Sequence, residues 1–498
     1  MNTPRRFSFQ FHAYLAAFFF ISLTLFTWRN HFPFFYHSDE ESKAIQLLYG
    51  YRNYWHPMLM LNATRFLMMT SGANHDSQAI TMIGRSLSAI FSAVGITTFV
   101  HLASRRMGIF SGILTGIFLL LSPLLFEVSH YCKEDPALFM GYALSLLALD
   151  SFFSERSLKR VLLLGTAVGI ATSAKYPGVL LVIGLTPVIA WQSREWRMVV
   201  PFLLIAATTV VLLNYEWLFH LPEVFAGVHR ESAMLLWGHD GMANQFPQAQ
   251  YWRILLYQQG WPILIAALLG MVLAARRENR FSLELGLGLS CLFLLGVLSF
   301  SAKVSERYIL PIMATTLYLA ACGVTLLGQK FHGYYKLTFH LIAILLLSFY
   351  PAQLLVWYCE DFKKDSRGDL ARWILAHHIR KEELATSLWT RLPGIYEAQF
   401  ITGVAPPDYV ADLGTLDQLR SMGYRWVVVS DVESLRFRSP EQTGDSLSRF
   451  HFERRRIFYE TLRNEADLRW SEVPGPVYNL QPGLKLYELH SKPEISVP

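Results

Sequence analysis

The sequence predicts an α-helical multi-pass membrane domain followed by a small C-terminal α/β soluble domain. Three observations carry this. Of 498 residues, 52% are hydrophobic and only 16% charged, against about 25% charged in a soluble domain. Apolar segments long enough to approach the ~20 residues a membrane helix needs recur about eleven times. Roughly half of all Asp, Glu, Lys and Arg lie after Glu360, in the last quarter or so of the chain. The expected division is therefore a membrane domain over 1–359 with long outer loops at 29–82 and 215–253, and an extracytoplasmic α/β domain over 360–498.

In chain order the apolar segments fall at 11–28, 83–103, 108–126, 136–153, 161–174, 177–192, 198–214, 254–275, 281–300, 308–327 and 337–358. The two flanking Lys175 are the shortest. The first follows "MNTPRR" and lacks a small-residue cleavage site, so it reads as a retained anchor in preference to a signal peptide. Lys and Arg concentrate in alternate connections: "MNTPRR", "SRRMG", "SERSLKR", "QSREWR", "ARRENR" and "GQKFHGYYK". By the positive-inside rule these are cytoplasmic, which puts the N-terminus inside and the tail outside an inner (plasma) membrane.

The loop 29–82 mixes apolar and aromatic residues with polar ones, as interfacial amphipathic helices do. The loop 215–253, with Trp217, Trp237, His239 and Trp252, has the same character. In the tail, "GDLARWILAHHIRK" and "GTLDQLRSMG" have helical periodicity, "RWVVVS" and "LKLYEL" read as strands, and "APPDY" and "PGPVYN" as turns.

Several function classes lack support. The formal charge of +6 sits mainly in topology-setting loops, and no nucleic-acid module is visible, so no nucleic-acid partner is expected. Four scattered cysteines form no C-x-x-C pair. Phosphate-loop, H-E-x-x-H and G-x-S-x-G patterns are missing from the sequence.

What needs explaining is a set of polar residues at helix ends. "HSDEESKAI" places Asp39, Glu40 and Glu41 about ten residues after an apolar segment; helix-start acids account for it as well as a functional site does. "HYCKEDPALF" puts Lys133, Glu134 and Asp135 before Pro136, where Asp135 could simply cap the next helix. Lys175 lies between two short segments broken by Pro and Gly. In "SAKVSERYILP", Lys303 and Arg307 are four residues apart, either an interfacial ion-pair set or a cation pair facing phosphate. Arg85 could snorkel or pair with an acid, and His56, like His37, is more often structural than a ligand. These acids and bases all fall on one predicted face. Carboxylates beside cations at a bilayer surface suit proton removal from an acceptor with stabilisation of a leaving phosphate.

Five motifs then carry a resemblance. "SDE" after the first span, "YWHPML", "RSLSAIFSAVGITTFVHLASRRMG", "KEDPALF" and "ERYILP" stand in the order found in GT-C superfamily glycosyltransferases. The chain resembles the branch holding protein O-mannosyltransferases and the lipid A aminoarabinose and galacturonic acid transferases, in its bacterial form. The resemblance covers about Phe11 to Tyr358. It implies a GT-C fold and a polyprenyl-phosphate sugar donor. It also implies a lipid, polysaccharide or protein acceptor and a single inverting displacement at the bilayer. It makes Asp39 the base with Glu40 assisting, and Asp135 a contributor on the acceptor side. Lys175, Lys303, Arg307 and Arg85 become donor-phosphate ligands, and His56 and Glu134 acceptor or loop residues. A divalent ion on Asp39 or Asp135 is possible. The alternative from another class is a transporter or flippase for a lipid-linked or hydrophilic solute, for which the broken helices near Lys175 would suit alternating access.

Overall fold

The computed structural model describes residues 9–73, 75–193, 196–237, 247–278, 282–396, 406–438 and 446–490. The expectations for "MNTPRR" and His239, and part of those for "ARRENR" and "APPDY", lie outside the described residues. The chain forms two compact units. The first holds most of the chain up to Leu355; the second holds Phe35–His37 together with the chain from Val356. The linear division at 359 misses the short Phe35–His37 stretch, whose membership depends on contacts distant in sequence.

In the first unit, α1 (Phe9–Thr27) leads into two loop helices, α2 (Ser38–Tyr49) and α3 (Leu59–Ser71). The bundle continues with α4 (Ser77–Met107), α5 (Ile109–Leu120), α6 (Pro123–Ser129), α7 (Asp135–Ser154), α8 (Leu158–Ala174), α9 (Val179–Ser193) and α10 (Val199–Leu213). It closes with α11 (Leu221–Trp237), α12 (Pro247–Glu278), α13 (Leu283–Leu298), α14 (Leu310–Gly328) and α15 (Gly333–Asp361). All eleven predicted segments are helical. Among the described residues, however, only seven helices are long and apolar enough to cross a membrane, or eight counting the pair α5–α6, bent by 65°. The remaining segments, on α8, α9 and α13, are 15 to 17 residues long.

Local chemistry sets the boundaries that matter for the site. Asp76 caps α4 by accepting from the Gln78 and Ala79 amides, so this helix starts earlier than hydropathy suggested. Ser122 caps α6 ahead of Pro123, which breaks the run at Leu121. Pro136 in the first turn fixes the start of α7, directly after the acidic strap. α14 is the central helix, with 94% of its apolar window buried. It crosses α12 backbone to backbone: a Cβ at Gly270 would strike the Leu319 carbonyl, and one at Gly323 the Ala266 carbonyl. Small residues permit this approach where lipid supplies no hydrophobic drive.

The second unit is α/β. Its sheet has the order β1–β2–β4–β3, from β1 (Leu384–Ala385), β2 (Trp426–Ser430), β3 (Ala466–Ser471) and β4 (Leu484–Leu489). β1 is parallel to β2; the β2–β4 and β4–β3 pairs are antiparallel. The expected strands are β2 and β4; β1, β3 and the helix Ser446–Glu465 were not foreseen. Within this unit Tyr36 donates to Asp365 at 2.6 Å, and Arg391 donates to the Phe35 carbonyl. Glu433 lies in its core, accepting from Ser387 Oγ at 2.6 Å, the Val410 amide at 2.7 Å and the Tyr459 hydroxyl.

Candidate active site

The candidate site is built within the first unit, where three connections and one loop helix converge. α2 supplies Asp39, Glu40 and Lys43; the strap Cys132–Glu134 between α6 and α7 supplies the groups that read them. Helical period places Asp39 and Lys43, four residues apart, on one face of α2.

Glu40 is fully buried and accepts a fork from Arg85, Nε to Oε1 at 2.8 Å and Nη2 to Oε2 at 2.7 Å. The Cys132 amide donates to the same Oε1 at 2.8 Å. Arg85 spends its other donors on the carbonyls of Asn30 and Phe32 and lies 3.6 Å from the Phe32 ring centroid. This bidentate pair ties α2 to α4 and has no face left for a ligand. Arg85 therefore leaves the set of expected phosphate ligands, and Glu40 is an anchor beside the site.

Asp39 is different. Its side chain is 32% exposed and its Oδ2 receives Lys133 Nζ and, at 3.4 Å, Arg307 Nη1. Lys133 is only 2% exposed, while Arg307, on the turn Glu306–Ile309 before α14, is 26% exposed with its Nε–H unpartnered. Asp39 thus presents an open carboxylate flanked by one buried cation and one accessible cation.

Two further ion pairs lie along the strap. Lys43 Nζ meets Glu134 Oε1 at 3.0 Å, both side chains 5% exposed. Burial would raise the Glu134 acid, but Lys43 and then His56 overcome this and hold it below the usual carboxylate range. For Lys43, burial pulls the amine down and Glu134 more than restores it, so the ammonium is favoured. His56 is pushed below the ordinary imidazole value, chiefly by burial. At the end of α8, Lys175 Nζ donates to Asp135 Oδ1 at 2.6 Å and lies 5.2 Å from the Tyr308 ring centroid. Asp135 Oδ2 is buried without a hydrogen-bond partner.

The structure therefore brings Asp39, Glu40, Arg85, Glu134, Asp135, Lys175, Arg307 and His56 to one end of the bundle. Lys303 goes elsewhere: its ammonium rests 3.6 Å from Met234 Sδ, and its carbonyl accepts from Tyr251. The α-helical spacing assumed for Lys303 and Arg307 fails because 303–305 are not helical. Lys133, noted in the motif "KEDPALF", was given no role by sequence reasoning, and Lys43 was passed over; the i,i+4 spacing from Asp39 was the available signal for Lys43. Among the described residues no group of three or more His, Cys, Asp or Glu gathers as a metal site. Ammonium groups occupy one oxygen of each candidate ligand, Asp39 Oδ2 and Asp135 Oδ1, while Asp135 Oδ2 has no hydrogen-bond partner.

The architecture is a helical bundle with a converging charged end and a C-terminal α/β unit. A sequence model described as dolichyl-phosphate-mannose-protein mannosyltransferase matches residues 56–217. That stretch includes the strap and Lys175 but neither Asp39 nor Arg307. No curated protein matches by sequence. Among solved structures, ArnT from Cupriavidus metallidurans in the apo state superposes with a TM-score of 0.53 at 14% identity, covering 96% of this chain and 97% of that one. The same enzyme bound to undecaprenyl phosphate gives 0.51 at 15%, with the same coverage. The oligosaccharyltransferase AglB from Archaeoglobus fulgidus, in complex with an inhibitory peptide and a dolichol-phosphate, gives 0.52 at 10%, covering 86% and 70%. The likeness to these solved structures is one of fold along the chain, and the likeness in sequence is confined to 56–217.

Proposed function

We propose that the protein is a membrane glycosyltransferase that moves a sugar from a polyprenyl-phosphate donor to an acceptor, with Asp39 as general base and inversion at the anomeric carbon. The observation that carries this is the Asp39 carboxylate, one-third exposed between buried Lys133 and accessible Arg307. Lys133 pairs with the carboxylate and orients it. Arg307, with its side chain 26% exposed, is the cation placed to meet the phosphate oxygens as the sugar–oxygen bond breaks. Asp39 takes the proton from the attacking acceptor group; the electron pair of the breaking bond leaves on the polyprenyl phosphate. Lys175, held by Asp135, adds positive potential at the same end. The lipid phosphates in the solved neighbours' descriptions support the donor class.

The acceptor is a lipid, polysaccharide or protein. The basic connections support an inner-membrane orientation with the N-terminus cytoplasmic and the C-terminal unit outside. Asp39→Asn should abolish transfer of radiolabelled sugar from a polyprenyl-phosphate donor to membrane acceptors while leaving yield and membrane insertion intact; near-normal turnover removes Asp39 from the mechanism. Dialysis against EDTA tests metal dependence; with an ammonium on one oxygen each of Asp39 and Asp135, transfer is expected to be unchanged.

A further inference from the structure

The strap reads α2 residue by residue: the Cys132 amide takes Glu40, Lys133 takes Asp39 and Glu134 takes Lys43. Lys133 and Glu134 are neighbours in sequence, as are the acids Asp39 and Glu40, and Asp39 acts through space on both Lys43 and Glu134. A buried carboxylate left unpaired is costly and will recruit any cation near it. For Glu134 that cation is Lys43, on the same face of α2 as Asp39.

We propose that Lys43 and Glu134 are a positioning pair: by neutralising Glu134, Lys43 keeps Lys133 on Asp39 and so sets the charge state of the open carboxylate. The inference rests on Asp39 being the base. The charged groups facing Asp39 include Lys133 from the strap, Arg307 from the turn before α14, and Lys43 and Glu134 at longer range, and Ser38 Oγ donates to it at 3.4 Å. Glu40, next in sequence, is held by Arg85. Removing Lys43 leaves Glu134 to draw Lys133 off Asp39, and the acid form of Asp39 gains. Removing Glu134 leaves the Lys43 ammonium one turn from Asp39 on the same face of α2, and the anionic form gains.

Asp39 can be read without knowing the sugar. A hydrophobic carbodiimide reacts with protonated carboxyls, so mass-spectrometric labelling of Asp39 against pH in the full chain in detergent gives a midpoint. The expected result is a rise of about one pH unit in Lys43→Met, a tenfold change in the acid–base ratio at fixed pH. Glu134→Gln should move it down, and the double variant should return close to the unaltered protein. A merely structural role would loosen the site in the same direction in both single variants. Equal-sign shifts, or an unmoved midpoint, overturn the proposal. If Lys43→Met does not fold, Glu134→Gln and Lys43→Arg decide it: the first must fall and the second must stay. Transfer activity in Asp39→Asn separates the two failures, since it tests the base assignment without touching the pair.

Discussion

The two ends of the membrane unit both carry buried ion pairs, yet they differ in what is left open. At the end opposite the candidate site, Arg106 forks onto Glu284 at 2.8 and 3.0 Å and reaches Asp150 at 3.6 Å, where Arg105 also binds at 3.2 Å. Tyr318 donates to Glu284 at 2.9 Å, and Glu284 is fully buried. This cluster joins α4, α7, α13 and α14, with its acids sealed. At the Asp39 end the same chemistry leaves one carboxylate a third exposed beside an arginine about a quarter exposed. Charge alone does not mark a site; an accessible charge does.

The comparison breaks if the open end is dispensable. Asp39→Asn should lower transfer by about 10²–10⁴-fold, the usual contribution of a positioned base. Arg307→Ala should cost about 10²–10³-fold, as removal of one donor to developing charge does, with Arg307→Lys recovering part of it; steady-state kinetics on matched amounts of folded protein would show both. The sealed end should behave in the opposite way. Arg106→Met leaves Glu284 buried and unpaired, and should cost about 3–5 kcal/mol of stability with turnover per folded molecule little changed, measured by thermal unfolding alongside activity.

The smallest effect tests a buried acid without a cation. Glu433 in the second unit is held by neutral donors, and burial pushes it up from 4.5 to about 7. The folded state then binds a proton the unfolded state has released, so its contribution is full below about pH 4.5 and fades as pH rises to about 7. The shift corresponds to about 3 kcal/mol at most. Unfolding midpoints of the full chain should fall over that range, and Glu433→Gln should flatten the slope.

Much of this was legible in the residues, for a physical reason. Burying a helix in hydrocarbon demands a long apolar run, and such runs survive in the sequence as hydropathy; so does the proline in the first turn of α7, whereas the Asp76 cap of α4 and the break at Pro123 were not read. Strands β1 and β3 escaped because one is two residues long and the other is charged and half exposed, with no apolar alternation to read. The charged motifs also announced that something polar happens at one end. They could not announce which cation meets which acid. Asp39, Glu40, Glu134 and Asp135 are equivalent carboxylates in one dimension, and so are Lys43, Arg85, Lys133 and Arg307.

Tertiary structure alone decided the pairing, because an ion pair depends on distances of a few ångströms between residues up to 268 positions apart. It buried Arg85 on Glu40, sent Lys303 to Met234, and left Asp39 open. The sequence by itself determined a multi-pass bundle with a charged end and a soluble tail, since those follow from composition and period. Which of its carboxylates faces solvent follows from packing, and only the folded chain contains that.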